Sequence, residues 1–193
     1  MAAVNIGVLA LQGAFAAHQD VLHGLGCRTR QVREPRDLAG LQALVMPGGE
    51  STTMSKLLVT SELFEPVAEA IHGGLAVFGT CAGMILLASG IEDGRPDQRS
   101  FGVLDISVQR NAYGRQVDSF ETDLQVAGLD DPFRAVFIRA PRVTRIGAVS
   151  VLAEHDGEPV LVRQGKVWAA SFHPELSQDD RVHRLFVECV EKE

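Results

Sequence analysis

Residues 75–88 read Leu75-Ala76-Val77-Phe78-Gly79-Thr80-Cys81-Ala82-Gly83-Met84-Ile85-Leu86-Leu87-Ala88. An apolar run ends at Phe78, small residues follow, and a second apolar run, MILLA, begins at Met84. Short continuous apolar runs bounded by glycine mark strands buried on both faces, as in parallel sheets. The stretch predicts a strand, a tight turn and a helix, in that order. Working outward, runs of the same kind occur at Val4 to Leu11, Cys27 to Val32 and Leu41 to Met46. Between them lie segments of helical spacing, Ala14 to Leu25, Met54 to Leu58 and Leu63 to Ile71. Strand and helix in alternation predict an α/β fold, a three-layer open sheet, mostly parallel, with helices on both faces. In such a sheet the loops after the strand carboxyl ends form a crevice, where function is expected.

From about Phe101 to Phe172 the pattern changes to alternating pieces separated by turns, including Val151 to Glu154, the DGEP turn and Val160 to Gln164. These predict antiparallel hairpin additions to the sheet. Val182, Leu185, Phe186, Cys189 and Val190 then recur at helical spacing, with Ser177 and Asp180 as the expected capping pair. No repeat or long Gly/Ser/Pro linker divides the 193 residues, so residues 1–193 are expected to form a single domain. The EDGRPDQRS stretch reads as a polar loop.

Composition removes several function classes. The chain is 46% hydrophobic and 22% charged, with 18 Lys plus Arg against 25 Asp plus Glu and a net charge of −7. That balance repels polyphosphate, so no nucleic-acid partner is expected, and Arg28, Arg30, Arg33 and Arg36 read as a solvated edge. Cys27, Cys81 and Cys189 are too few and too scattered for a disulfide framework, which fits a reducing cytoplasm. The apolar start lacks a basic n-region, and no apolar stretch reaches the roughly 20 residues of a spanning helix, so no membrane partner is expected.

Cys81 stands between small residues at the strand-to-helix turn, the spacing of a nucleophile elbow. Such a turn strains the backbone by about 1–3 kcal/mol and excludes bulk two positions to either side, a demand that Gly79 and Gly83 meet. A nucleophile needs an oriented base, and Ser171-Phe172-His173-Pro174-Glu175 places an imidazole and a carboxylate two residues apart after the apolar VWAAS. If the segment is extended, the two share a face, and Glu175 can hold one ring nitrogen of His173 while the other serves Cys81. In Pro47-Gly48-Gly49-Glu50-Ser51-Thr52 a glycine pair precedes a helix, with Ser51 placed as its cap, and the backbone amides there can approach a ligand. Together with the amide of Ala82, they are candidates for an oxyanion hole. The segment lacks the GK[ST] ending of a phosphate-binding loop. Cys81, His173 and Glu175 are permissible zinc ligands, but no fourth ligand or paired spacing accompanies them, and no metal is expected. His18, His23, His72, His155 and His183 read as structural or surface residues.

GTCAGM and SFHPEL resemble the triad, or class I, glutamine amidotransferases. In their order along the chain, PGGEST, FGTCAGM, RNAYGRQVDSFE, FIRAP and SFHPEL resemble more narrowly the glutaminase-subunit family of pyridoxal 5'-phosphate synthase. The resemblance covers nearly the whole chain and implies a flavodoxin-like glutamine amidotransferase domain. It implies Cys81 as nucleophile, His173 as general base and acid, and Glu175 as its orienting partner. It further implies L-glutamine contacts at Gly49, Glu50, Ser51, Arg110, Ile138 and Arg139, with the oxyanion held by the backbone at Gly49 and Ala82. The implied reaction releases glutamate and ammonia with no cofactor. The implied partner, in a hetero-oligomer, is a separate synthase subunit that uses the ammonia to make pyridoxal 5'-phosphate from ribose 5-phosphate and glyceraldehyde 3-phosphate. Docking of that partner is expected to reshape the LQG loop, Leu11 to Gly13. The rival readings are an ammonia-donating glutaminase of another biosynthetic pathway, a cysteine hydrolase or peptidase on a similar elbow, and a non-catalytic scaffold module.

Overall fold

A computed structural model describes residues 3–110 and 119–192. The chain runs through β1 (Asn5–Leu9), α1 (Phe15–Gly24), β2 (Arg28–Val32), β3 (Ala43–Met46), α2 (Ser51–Thr60), α3 (Phe64–His72), β4 (Ala76–Thr80) and α4 (Ala82–Leu87). It continues through β5 (Ala88–Ile91), β6 (Leu104–Gln109), β7 (Ser119–Leu124), β8 (Phe133–Ile138), β9 (Arg142–Ile146), β10 (Ser150–His155), β11 (Glu158–Gln164), β12 (Val167–Ala170) and α5 (Arg181–Glu191). A seven-stranded sheet has the order β10-β11-β12-β4-β3-β1-β2. Pairing is parallel from β12 to β2 and antiparallel among β10, β11 and β12.

The strand residues explain the layers. Side chains alternate across a strand, so Val45, Phe78, Trp168 and Ala170 face one side and Leu44, Met46, Val77 and Ala169 the other. The first set packs on Leu22 of α1 and on Val182, Phe186 and Val187 of α5. The second packs on Met54 and Leu58 of α2, Val67 and Ile71 of α3, and the apolar α4. With both faces covered, β1, β3, β4 and β12 carry apolar residues at successive positions, as the sequence pattern predicts. The expected three-layer α/β sheet with antiparallel additions is the observed architecture. Among the described residues no helix is long and apolar enough to cross a membrane.

The additions are the β10–β11–β12 edge, a β7–β8 hairpin and a small sheet ordered β5-β6-β9. The expected DGEP turn is a two-residue connection in which Asp156 and Gly157 both have positive φ, 51° and 78°. That geometry matches the twist of the strands it joins. Cys27 to Val32, expected as a strand buried on both faces, instead supplies β2, the exposed edge of the sheet, with only Val32 of its residues buried; Arg28 and Arg30 lie on it, and Arg33 and Arg36 follow it as exposed residues. Three further features depart from expectation. Helix α4 has only six residues, and the chain turns at once into β5, because the N–H groups of Phe101 and Val103 take the carbonyls of Leu86 and Leu87. Asp180 caps α5 by position only, its carboxylate bonding Arg184 and no backbone N–H of the first turn, while the Ser177 hydroxyl donates to the carbonyl of Pro174. The cap of α2 is Glu50, not Ser51.

Gly83 is fixed by packing, since a Cβ there would lie 2.2 Å from the Met46 carbonyl oxygen. Neither backbone can yield without disturbing β3 or α4. Gly83→Ala is expected to lower stability to urea unfolding by about 1–3 kcal/mol, the cost of overpacking a dense core.

Candidate active site

The parallel pairing of β4 and β12 builds the site. Thr80 is in register with Ala170, and the Cys81 N–H donates to the Ala170 carbonyl at 2.8 Å. The residues leaving the two strands therefore emerge side by side at their carboxyl ends, Cys81 from one and Ser171 to Glu175 from the other. Cys81 has φ 50° and ψ −105°, left-handed backbone in a residue with a side chain. This is the strained elbow that the spacing predicts, worth roughly 1–3 kcal/mol. Packing holds it: a Cβ on Gly79 would meet the Gly83 backbone at 2.6 Å. At Gly48 a Cβ would lie 2.4 Å from the His173 ring and 3.3 Å from the Cys81 Cβ. Only glycine lets the β3 loop pass this close to both.

His173 is held from behind by its N–H bond to the Val136 carbonyl of β8, at 2.8 Å. Its Nδ1 lies 2.7 Å from Glu175 Oε1. The expected pairing forms, but by a different local route: residues Pro174–Leu176 make a 3₁₀ turn rather than an extended segment. Burial alone would lower the pKa of His173. The hydrogen bonds and charges of the Cys81 sulfur and the Glu175 carboxylate outweigh that and hold it up at about 10. For Glu175, burial works to raise the pKa, yet the bond to His173 and the charge of that ring outweigh it, leaving it below the usual range. The Cys81 Sγ also faces the Ile138 carbonyl, at 3.8 Å.

Behind Glu175 stand two groups that sequence reasoning places among structural or surface residues. His18 of α1 and His183 of α5 are fully buried, and His18 Nε2 lies 3.3 Å from Glu175 Oε2. Neither neighbours Glu175 in sequence, so only the fold reveals the contact.

A cavity of about 480 Å³ opens at this end of the sheet. Cys81, His173, Gly49, Glu50, Ser51, Arg110, Ile138 and Arg139 line it, with Ile85 and Ser119. The expected residues thus converge, though with altered detail. Glu50 accepts bonds from the N–H groups of Thr52 and Thr53, at 3.0 and 2.7 Å, and from the Thr53 hydroxyl. Burial would raise its pKa, but these bonds bring it down to about 2, so it presents a fixed anion. The Glu50 N–H is taken by Gln12 Oε1 of the LQG loop at 3.0 Å, which leaves the Gly49 amide as the candidate donor there. Ala82, the first residue of α4, has no intrahelical acceptor for its N–H. Arg110 donates to Thr52 Oγ1, Gln98 Oε1 and the Asp93 carbonyl, at 2.7, 3.0 and 2.8 Å. The EDGRPDQRS stretch is therefore more than a polar loop, because its Asp93 and Gln98 anchor Arg110. Arg139 is exposed at the rim with φ 46°. Asn111 to Asp118, most of the RNAYGRQVDSFE motif, lie outside the described residues.

Residues 8–192 match the family model described as the SNO glutamine amidotransferase family. The chain belongs to this family. Among relatives, the pyridoxal 5'-phosphate synthase subunit PdxT of Nocardioides sp. (strain ATCC BAA-499 / JS614) is 55% identical, covering 99% of this chain and 98% of its own. The protein of the same name from Parafrankia sp. (strain EAN1pec) is 56% identical, covering 100% of this chain and 96% of its own. A crystal structure described as a glutamine amidotransferase superposes with a TM-score of 0.91 at 53% identity, covering 96% of this chain and 98% of that one. In this member of the family the cavity beside Cys81 opens onto two fixed charges of opposite sign, Glu50 and Arg110.

Glu175→Gln keeps the shape and removes the charge. Glutamine turnover is expected to fall by about 10²–10⁴, as when a triad loses its orienting carboxylate. The pH dependence has a definite sign. His173 has a folded pKa above its unfolded value of about 6.5, so its stabilising share is complete below that pH and is lost as pH rises through about 10. In Glu175→Gln the loss, followed by urea unfolding from pH 6 to 10, moves to lower pH.

Proposed function

We propose that this chain is the glutaminase subunit of a pyridoxal 5'-phosphate synthase, residues 1–193 acting as one glutamine amidotransferase domain. The observation that carries the reading is the strained Cys81 with an imidazole at its sulfur and a buried carboxylate 2.7 Å from that ring. Relatives at 54–56% identity bear the name pyridoxal 5'-phosphate synthase subunit PdxT, which supports this pathway over a glutaminase of another one.

In this reading the Cys81 sulfur attacks the side-chain carbonyl carbon of L-glutamine, and the amides of Gly49 and Ala82 receive the oxyanion. The tetrahedral adduct expels nitrogen with a proton from His173, so ammonia leaves and a glutamyl thioester remains. His173 then takes a proton from water, whose oxygen attacks the thioester; glutamate departs and the sulfur is restored. Glu175 keeps one face of the ring turned to the sulfur throughout. Gly49, Glu50, Ser51, Arg110, Ile138 and Arg139 bind the substrate: an anion suits its ammonium, and guanidinium groups suit its carboxylate. No metal or cofactor takes part.

Ammonia released to water at neutral pH is protonated and loses its nucleophilicity, so it must reach its acceptor under cover. The acceptor is a separate synthase subunit that assembles pyridoxal 5'-phosphate from ribose 5-phosphate and glyceraldehyde 3-phosphate. The LQG loop is placed to couple docking to catalysis: Gln12 bonds the Glu50 N–H, and Gly13 sits against the Gly48 carbonyl. The free thiols of Cys27, Cys81 and Cys189 suit a reducing cytoplasm.

Glutamate release from L-glutamine, measured with and without the synthase subunit, tests the reading. The assembled enzyme is expected to turn over faster, and Cys81→Ala to lose about 10⁴-fold or more. Retention of activity within tenfold in Cys81→Ala moves the nucleophile elsewhere, and equal rates for free and assembled subunit remove the loop from the mechanism.

A further inference from the structure

We propose that His18 is a positioning residue for Glu175 and that His183 selects the tautomer in which it acts. The inference rests on the glutaminase reading, in which Glu175 orients His173, and extends the site by two residues that touch neither substrate nor sulfur.

One carboxylate oxygen of Glu175 is spoken for, since Oε1 lies 2.7 Å from His173 Nδ1. The other, Oε2, is buried, and among the described residues it has no aligned hydrogen-bond partner. Its ion-pair contact is His18 Nε2 at 3.3 Å. The same nitrogen is 3.2 Å from Thr80 Oγ1, so a proton on Nε2 is directed to the hydroxyl with the carboxylate oxygen beside it. On its far side His18 Nδ1 is 2.9 Å from His183 Nε2. Both imidazoles have 0% exposure, and His183 Nδ1 has no partner among the described residues.

Proton counting separates the two tautomers. With His18 protonated on Nε2, its N–H faces Thr80 and Glu175, its Nδ1 lone pair accepts from His183 Nε2–H, and the orphan His183 Nδ1 is a bare acceptor. With His18 protonated on Nδ1, its Nε2 lone pair opposes an anionic oxygen, and His183 must carry its proton on Nδ1 as a buried donor with no acceptor. The second arrangement has two faults and the first has one mild one, because a buried N–H without a partner is the rarer defect. Burial opposes a charge on either ring, pushing His18 down and His183 down to about 3, so both are neutral at pH 7.

The consequence is a chain from the scaffold to the nucleophile. Helix α5 sets His183, His183 sets the protons of His18 on α1, His18 with Thr80 of β4 steadies Oε2, and Oε1 holds His173. Among the described residues, the ionisable groups around Glu175 are His173 on its own segment, Cys81 at the head of α4, His18 on α1 and His183 behind it on α5. Removing the His18 N–H leaves a buried oxygen with less to favour its charge, so Glu175 takes up a proton at higher pH.

The test is glutamate release by the subunit assembled with its synthase, from pH 4 to 9, for wild type, His18→Leu and His18→Gln. The leucine variant is expected to lose about 10–100-fold in kcat with KM for glutamine changed less than about threefold, and the acid limb of kcat/KM to move up by about one pH unit. His18→Gln, whose amide N–H reaches toward the former Nε2 position, is expected to restore kcat to within about fivefold of wild type and return the limb. A leucine variant that folds and matches wild type in kcat and limb overturns the proposal, as does a glutamine variant no better than leucine. Nitrogen NMR of the wild-type rings is an independent measurement that needs neither turnover nor a folded variant. Protons on Nε2 of both His18 and His183 are expected, and a proton on Nδ1 of either contradicts the assignment. If wild type releases no glutamate in the complex while these protons lie on Nε2, the glutaminase reading fails and the tautomer assignment stands.

Discussion

A buried carboxylate facing an imidazole is the constraint on which the site depends. Glu175 is 7% exposed and ionised, and an anion so placed is tolerated only where cationic or donor groups surround it. His173 meets that need on one side, and in doing so its ring is locked in one orientation with its proton retained to about pH 10. The arrangement serves chemistry in two ways. It gives the sulfur a cationic neighbour, and it supplies a proton at the point where a leaving nitrogen requires one.

The fold makes that pairing possible through sheet order. Cys81 and His173 are far apart in the chain, yet β4 and β12 are adjacent parallel strands whose carboxyl ends finish at the same level. Glycine at 48, 79 and 83 then lets three backbone segments crowd around the sulfur, with gaps too small for any Cβ. Strain at Cys81 is sustained because the dense α4 and β3 packing leaves it no relaxed alternative. The substrate cavity is the space that remains between this crowded turn and the β8 end that carries Ile138 and Arg139.

Much of this is legible in the sequence because the signals are local. Apolar runs bounded by glycine mark β1, β3 and β4, and the small residues around Cys81 mark the elbow, whereas β2 is a polar edge strand. The contacts at Arg110, Ile138 and Arg139 come from the family resemblance alone, since isolated arginines carry no local signal. What escapes is long-range. His18 and His183 look ordinary because their partner, Glu175, becomes a neighbour only when α1 and α5 pack on the same face of the sheet. Asp93 and Gln98 are hidden in a polar stretch for the same reason: their value lies in reaching Arg110 and Thr52 across a loop. Local rules also misjudge ends. The helix expected over MILLA starts two residues earlier and ends at Leu87, where carbonyls at 86 and 87 find partners in a later loop, and a carboxylate takes the cap expected of a serine.

The most direct test of the central claim is the protonation state of His173 itself. Nitrogen NMR of the ring across pH 5 to 11 reports it without substrate or partner. The account predicts a doubly protonated imidazole throughout the neutral range, surrendering its proton near pH 10. A neutral ring at pH 7.5 would contradict it.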